Sequence, residues 1–139
     1  MEVPAHLRRA VIQRAGNRCE YCGLAQAGQE AAFHLDHIKP FVAGGKNTLN
    51  NLALACVSCS LRKSARQTAT DPQTGAIVPL FNPRGDSWRL HFRWNGVRLM
   101  GVSPTGRATV AALKLNRSIA LAIRREEFER HRHPPPSHL

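Results

Sequence analysis

The stretch that decides the fold begins with Cys19-Glu-Tyr-Cys22 and ends with Cys56-Val-Ser-Cys59. The two residues inside each Cys-x-x-Cys pair allow both sulfur atoms to face one centre, and four thiolates complete the tetrahedron that zinc prefers. In a reducing compartment, two such pairs favour a metal site over two disulfides. The spacing therefore predicts a structural Zn²⁺ ion held by Cys19, Cys22, Cys56 and Cys59.

Two other roles for these cysteines have weaker support from the sequence. A thioredoxin-like redox pair needs only one Cys-x-x-Cys motif and a βαβ context, which the sequence lacks. Cys22-Gly23 is similar to a rubredoxin knuckle, which would hold iron, but Cys59 is followed by Ser60. Zinc is therefore the expected ion.

The charge of the chain points to a polyanionic partner. Its 139 residues include 20 Lys and Arg against 9 Asp and Glu, a formal net charge of +11, and 16 of the basic residues are arginine. A guanidinium group binds phosphate oxygens in pairs, whereas an ammonium group acts as a point charge. A generally basic surface would explain the charge but not the arginine bias, so DNA or another nucleic acid is the favoured partner.

Length and composition predict one compact domain, because 42% of the residues are hydrophobic and only 21% are charged. No apolar stretch approaches the roughly 18 residues that a membrane span requires, and the first residues lack the apolar region of a secretory signal. We therefore expect a cytoplasmic protein with no membrane partner. A monomer is the default expectation, and a homodimer is the alternative.

The first half of the chain alternates short helices and strands. Residues 4–15 combine a proline suited to a first helical turn with an apolar stripe and a Gly-Asn ending, which predicts a helix. Residues 31–38 and 51–55 are typical of short strands, and residues 60–68 are polar, basic and compatible with a helix. The two predicted strands lie between the cysteine pairs or run into the second pair.

The second half predicts a strand, a hairpin and two helices. Residues 76–81 form the predicted strand, and residues 88–102 form a hairpin around Asn95-Gly96. Ser103 followed by Pro104 is typical of a helix start, with the helix ending near residue 115, and a second helix is predicted over 118–130 with Arg124 exposed. Residues 132–139 are rich in proline and histidine, which predicts a disordered tail.

The hairpin carries a second candidate surface for DNA. Alternation along the first strand predicts one face with the aromatic residues and another with Arg89 and Arg93. If the turn is Asn95-Gly96, Arg93 lies opposite Arg98. Like charges across a ladder repel, so this pairing favours a bound anion over that face, unless both side chains extend into water.

Four further motifs lie in order around the cysteine pairs. They are Leu35-Asp36-His37-Ile38, Gly44-Gly45, Asn51-Leu52 and Ser60-Leu61-Arg62-Lys63. From Cys19 to Lys63 the chain resembles the HNH endonuclease family. The remaining residues are also similar to a group of small bacterial HNH proteins, through Asp71-Pro72, Leu80-Phe81, His91-Phe92 and the run 106–110.

The resemblance implies an α+β fold with a small ββα-metal core, also called a His-Me finger, and a four-cysteine zinc site. The expected organisation is a zinc-stabilised HNH nuclease core over 1–70 and an extension of the same compact unit over 71–131. DNA phosphodiester hydrolysis is the implied activity. Asn51 then holds the loop that orients His37, and the helix after the second knuckle supplies a further metal ligand.

Chemistry gives a reason for the residues at the expected active site. His37 suits a general base because imidazole titrates near neutrality, and Asp36 offers Mg²⁺, or another divalent cation, a hard oxygen ligand. Arg62, Lys63 and Arg66 follow the second knuckle as candidate phosphate contacts, with Arg89, Arg93 and Arg98 as a second set. No base-reading module is evident, so we expect contacts mainly to the DNA backbone.

One position departs from the family pattern. Ser60 stands where the family usually has Asn or His as a metal ligand, and a serine hydroxyl reaches less far, so weaker binding of the catalytic cation is expected. His34 would share the face of Asp36 in a regular strand, either as a substitute ligand or as a partly buried neighbour.

Three hypotheses about function follow from this departure. The first is an active nuclease that uses Asp36 and Ser60 at the cation. The second is a zinc-stabilised DNA-binding module in which Ser60 has weakened or abolished cleavage. The third is a structural adaptor between proteins, in which Asp36 and His37 have no catalytic role.

Overall fold

The computed structural model describes residues 2–136, which form five helices and six strands, the elements of an α+β fold. In chain order these are α1 Ala5–Arg14, β1 His34–His37, β2 Leu52–Ala55, α2 Val57–Lys63, β3 Thr68–Thr70, β4 Ile77–Pro79, α3 Trp88–His91, β5 Phe92–Asn95, β6 Arg98–Gly101, α4 Pro104–Ala112 and α5 Ser118–Glu129. Three short 3₁₀ turns lie at Gln26–Gly28, Phe41–Ala43 and Leu49–Asn51.

The centre of the fold is an antiparallel hairpin of β1 and β2 followed directly by α2. Its register pairs His34 with Ala55 and His37 with Leu52. All four residues of β2 are buried, so this strand lies inside the core while β1 carries a more exposed face. The chain thus forms a ββα unit in which the residues of β1 sit beside the helix that follows β2.

Helix α2 begins earlier and ends earlier than the sequence indicated. Cys56 caps it, because its Sγ atom accepts a hydrogen bond from the backbone N–H of Cys59. Ser64 adopts a positive φ of 48°, which ends the helix. The chain beyond it forms β3, paired with β4, so the prediction of helix through residue 68 is wrong at its end.

One hydrophobic cluster contains residues from both halves of the chain. It joins Val11 of α1 and Leu54 of β2 to Leu99 of β6, and to Leu113 and Leu115 after α4. The four cysteines belong to the same cluster. The C-terminal hairpin and helices therefore pack directly on the ββα unit.

The β5–β6 hairpin forms with a different register from the predicted one. Asn95 pairs with Arg98, and Arg93 lies opposite Met100. The two turn residues are Gly96 and Val97, since Gly96 takes the positive φ of 62° that such a turn needs. The predicted Arg93–Arg98 pair is therefore wrong, and the first part of the predicted strand is the short helix α3.

The end of the described chain is packed rather than disordered. The His133 ring lies edge-on to Trp94 at a centroid distance of 4.6 Å and is 3.0 Å from the carbonyl oxygen of Gly96. Pro135 packs beside Gly23, where an added Cβ would lie only 3.2 Å from the proline ring. The predicted disorder is thus wrong for residues 132–136, because these residues pack against the surface formed by Gly23 and Trp94. Residues 137–139 lie outside the described part of the chain.

Among the described residues, no helix has the length and apolar character needed to cross a bilayer.

Candidate metal centre and active site

The four cysteines converge on one point. Their sulfur atoms all lie within 4.8 Å of one another, and the Cys22 and Cys56 sulfurs are 3.7 Å apart. Zinc–sulfur bonds of about 2.3 Å in a tetrahedron place sulfurs about 3.8 Å apart, whereas a disulfide needs about 2.05 Å. The geometry therefore fits a tetrahedral zinc site and not a pair of disulfides.

The surroundings of the sulfurs suit thiolate ligands. The backbone N–H groups of Cys22 and Cys59 each point at the first sulfur of their own pair, at 3.4 Å. Burial raises the pKa of the Cys19 thiol well above its usual value. Side-chain hydrogen bonds with Cys19 lower the pKa of Cys22 and Cys56, so the four thiols do not ionise alike on their own. A bound cation would supply the charge that stabilises all four as thiolates.

Two arginines of the C-terminal extension reach the cysteine knuckles. Arg117 Nη2 donates to the Cys56 sulfur at 3.7 Å, and Arg124 Nη2 donates to the Cys22 carbonyl at 3.0 Å. Burial alone would lower the pKa of Arg117, but the thiolates of the cluster raise it overall. These cations would offset the excess negative charge that four thiolates leave around a divalent ion.

Arg124 also joins two segments of the extension to the first cysteine knuckle. The sequence predicted it to be exposed, but it is 1% exposed, because α5 turns Ala120, Arg124 and Glu127 toward the core. Its guanidinium group donates to Val97 O, Asn116 Oδ1 and Leu115 O in addition to the Cys22 carbonyl. The hairpin turn, the α4–α5 connection and the first cysteine knuckle therefore share one buried cation.

Arg124→Met is expected to lower the free energy of unfolding by about 3–5 kcal/mol, because several buried acceptors lose a charged donor at once. The exposed neighbour Arg125→Met is the matched control and should shift it by less than about 0.5 kcal/mol. Urea unfolding of the metal-loaded proteins measures both effects. Equal midpoints for the two variants would show that the buried cation adds nothing to stability.

Asp36 belongs to the second group of candidate residues, those of the expected active site, and it is 7% exposed. Its Oδ2 accepts a 2.6 Å hydrogen bond from Tyr21 and lies 3.1 Å from the Lys63 ammonium. Burial raises the pKa of Asp36, although Lys63 and the Tyr21 hydroxyl act to lower it. The lysine thus compensates part of the cost of burying the carboxylate.

His37 is oriented by a residue that the sequence analysis did not identify. Its Nε2 atom is 2.7 Å from the Asn47 side-chain oxygen, and Asn47 Nδ2 donates to the Glu2 carbonyl. Asn47 lies in the loop that follows the Gly44-Gly45 motif, and the sequence analysis gave Asn47 no role. Nothing in its local sequence distinguishes it from other loop asparagines, since the contact depends on how the loop folds back.

Asn51 holds that loop in shape. Its side chain accepts from the Lys39 N–H and donates to the carbonyl oxygens of Lys39 and Lys46. Gly45 lies so close that an added Cβ would meet the Lys39 carbonyl oxygen. The loop between β1 and β2 therefore closes tightly around the amide of Asn51.

Asp36, His37 and Ser60 line one open cleft of about 290 Å³, with Phe41 and Val42 at its wall. Adjacent strand residues normally point to opposite faces, but β1 ends at His37, so both side chains border the cleft. Ser60 on α2 is 2.9 Å from Nδ1 of His34, at the other end of the strand. The ββα arrangement brings these four side chains together.

The residues predicted to contact phosphate differ in how exposed they are. Arg62 and Arg66 are exposed, whereas Lys63 is 2% exposed. The Lys63 ammonium is bound to Asp36 and to the carbonyls of His37 and Ile38, and it therefore faces inward rather than toward a DNA strand. The sequence missed this inward role because helix spacing alone does not say which face is buried.

The three arginines that the sequence placed in the hairpin are exposed, although Arg89 lies on α3. Arg89 and Arg93 line a groove with Trp88 and Trp94, and Arg98 lies on the next strand. They remain a candidate DNA surface separate from the cleft of Asp36 and His37.

The fold contains a β-hairpin, the helix that follows it and a four-cysteine site that fits a metal ion. A carboxylate and an imidazole lie at the end of the first strand. Together these features define a ββα-metal type of domain. Residues 19–66 match the family described as HNH endonuclease. Neither a curated protein nor a solved structure matches the chain. The domain indicates a nuclease or a DNA-binding function linked to metal.

Proposed function

We propose that this protein is a metal-dependent endonuclease that hydrolyses DNA phosphodiester bonds, with a structural Zn²⁺ in its four-cysteine site. The observation that carries the proposal is the cleft of the HNH domain, where His37 is held by Asn47 beside Asp36 and Ser60. A nucleophilic water needs a base, and the scissile phosphate needs a neighbouring positive charge. The cleft offers residues for both tasks.

His37 is the proposed general base. Because Asn47 Oδ1 lies 2.7 Å from Nε2, that nitrogen carries the proton, and its N–H donates a hydrogen bond to the amide oxygen. The Nδ1 atom then keeps a free lone pair for a water proton. Asn47 therefore sets both the orientation and the tautomer of the imidazole, as a carboxylate does in other hydrolases.

Asp36 and Ser60 are the proposed ligands of the catalytic divalent cation, Mg²⁺ or another ion. Tyr21 and Lys63 occupy only part of the acceptor capacity of the Asp36 carboxylate, which has about four lone-pair sites. A hard carboxylate and a hydroxyl fit a cation that prefers oxygen. When bound, such a cation neutralises charge on the phosphate oxygens and the leaving group.

DNA is the proposed substrate, bound mainly through its phosphates. Arg62 and Arg66 are exposed close to α2, and Arg89, Arg93 and Arg98 form the second basic set. The formal charge of +11 adds long-range attraction. Binding should weaken steeply with salt, because each phosphate contact releases a counterion.

A second candidate is a DNA-binding module with little or no cleavage. The Ser60 hydroxyl is bonded to His34 rather than free in the cleft, which favours this alternative. The same residue would then limit binding of the catalytic cation.

A supercoiled-plasmid nicking assay tests the proposed function. We expect nicking that requires added Mg²⁺, Mn²⁺ or Ni²⁺ while the zinc site stays loaded. DNA binding without nicking under any of these ions would overturn the nuclease proposal in favour of the binding module. No binding even at low ionic strength would favour an adaptor between proteins.

Ser60→Asn is expected to lower the Mg²⁺ concentration needed for half-maximal nicking by about tenfold, the effect of about 1.4 kcal/mol from one better ligand. The longer amide reaches the cation directly. Ser58→Asn on the same helix is the control, because Ser58 contacts Arg62 and does not line the cleft. Identical Mg²⁺ titrations for all three proteins would show that residue 60 is not a ligand.

A further inference from the structure

His34 and Ser60 form a pair at the edge of the cleft. The His34 Nδ1 atom lies 2.9 Å from the Ser60 hydroxyl oxygen, although the two residues come from different elements. His34 begins β1, is exposed, and lies two residues before Asp36 on the strand. The period of two along a strand directs His34 and Asp36 to the same side.

We propose that His34 and Ser60 together supply the ligands that the family usually obtains from one Asn or His, and that the imidazole makes the site prefer Mn²⁺, Co²⁺ or Ni²⁺ over Mg²⁺. The proposal rests on the proposed function of the same cleft. The proposal adds His34, which lies outside the four motifs, as a ligand. It also adds a preference for one class of metal ion.

The spacing of the pair suits two neighbouring ligands of an octahedral ion. Metal–ligand bonds of about 2.1 Å place adjacent octahedral ligands about 3.0 Å apart. The 2.9 Å separation of Nδ1 and Oγ therefore allows a cation to replace the hydrogen bond without moving β1 relative to α2. Asp36, Ser60 and His37 border the cleft on one side, and His34 and Ser60 border the adjoining groove.

The charge of the site explains why the imidazole would decide the metal. The Lys63 ammonium lies 3.1 Å from Asp36, so the pair contributes little net negative charge. Coulomb attraction for a divalent ion is correspondingly weak, and the strength of the individual coordinate bonds matters more. Imidazole binds late first-row ions well, whereas Mg²⁺ is held chiefly by carboxylates, phosphates and water.

Electron paramagnetic resonance of Mn²⁺, titrated into the zinc-loaded protein without DNA, tests the proposal. We expect His34→Ala to weaken Mn²⁺ binding by about tenfold or more, the range that loss of a ligand or its support produces. The exposed His6→Ala on α1 is the matched control and should bind Mn²⁺ like the parent protein. Competition with Mg²⁺ should show preference for Mn²⁺ in the parent and a smaller preference in His34→Ala.

A second measurement needs no variant. Substoichiometric Mn²⁺ should broaden the imidazole proton signals of His34 before those of His6 or His131 in the unmodified protein. Unchanged Mn²⁺ affinity in His34→Ala, or no selective broadening of His34, would overturn the proposal.

Plasmid nicking tests the nuclease proposal separately from the assignment of His34 as a ligand. If the parent binds Mn²⁺ through His34 but nicks no plasmid, the nuclease proposal fails and the ligand assignment stands. If His34→Ala nicks with the parent's dependence on Mn²⁺, the ligand assignment fails and the nuclease proposal stands.

Discussion

His37→Ala should lower the rate of metal-dependent plasmid nicking by about 10²–10⁴-fold, the usual contribution of a positioned general base. The imidazole lies in the cleft at the end of β1, and its Nε2 contact with Asn47 leaves Nδ1 free for the attacking water. Asp36, which also lines the cleft, does not replace it, because this carboxylate is bonded to Tyr21 and Lys63 and its remaining acceptor sites are proposed to hold the cation. The measurement is the initial nicking rate at saturating metal.

The control for this prediction is DNA binding. A gel-shift titration should give the same affinity for His37→Ala and the parent, because the proposed contacts to the DNA backbone come from arginines and not from His37. His6→Ala should nick at the parental rate, since His6 is exposed on α1 and outside the cleft. Nicking that persists unchanged in His37→Ala would exclude this histidine as the base.

Removal of the ion from the four-cysteine site should abolish the cooperative fold. Structural zinc contributes an apparent binding free energy of about 10–16 kcal/mol in small zinc domains, as large as the total stability of about 5–15 kcal/mol of ordinary domains. Here the cysteines belong to the main hydrophobic cluster, and Arg117 and Arg124 of the extension contact them. Both halves of the chain should therefore lose their packing together.

Circular dichroism and thermal unfolding, with the zinc content measured in parallel, check this result. A strong chelator or Cys22→Ser should remove the unfolding transition, and added zinc should restore it only in the chelated parent. Ser58→Asn keeps all four ligands and should retain one zinc per chain. A metal-free protein with the parental melting transition would mean that the cysteines do not hold the fold.

The features that depend on residues close together in the sequence were predictable. Helix α4 begins where Ser103 and Pro104 predict it, and the Ser103 hydroxyl accepts from the Gly106 N–H as an N-cap does. The two cysteine pairs converge as their spacing indicated. The start of the helix and each Cys-x-x-Cys knuckle depend on a few consecutive residues. The convergence of the two pairs was predictable because a tetrahedral ion needs four ligands and each pair supplies two.

The candidate site was predictable only in part. Asp36, His37 and Ser60 do line one cleft, but the partner of His37 is Asn47, and Lys63 faces inward to Asp36. Whether a side chain on a short polar helix faces solvent or a buried carboxylate depends on the strand packed against it. Periodicity in one helix contains no information about that strand.

By itself, the sequence predicted the cluster of four cysteines, the positions of most helices and strands, and the family that residues 19–66 match, since each prediction rests on residue types in short patterns. Only the tertiary structure decided the hairpin register, the burial of Arg124, the docking of the tail on Trp94 and the pairing of His34 with Ser60. These features join residues far apart in the chain. Their free energy comes from burying charge, rings and amides against partners that exist only once the chain has folded.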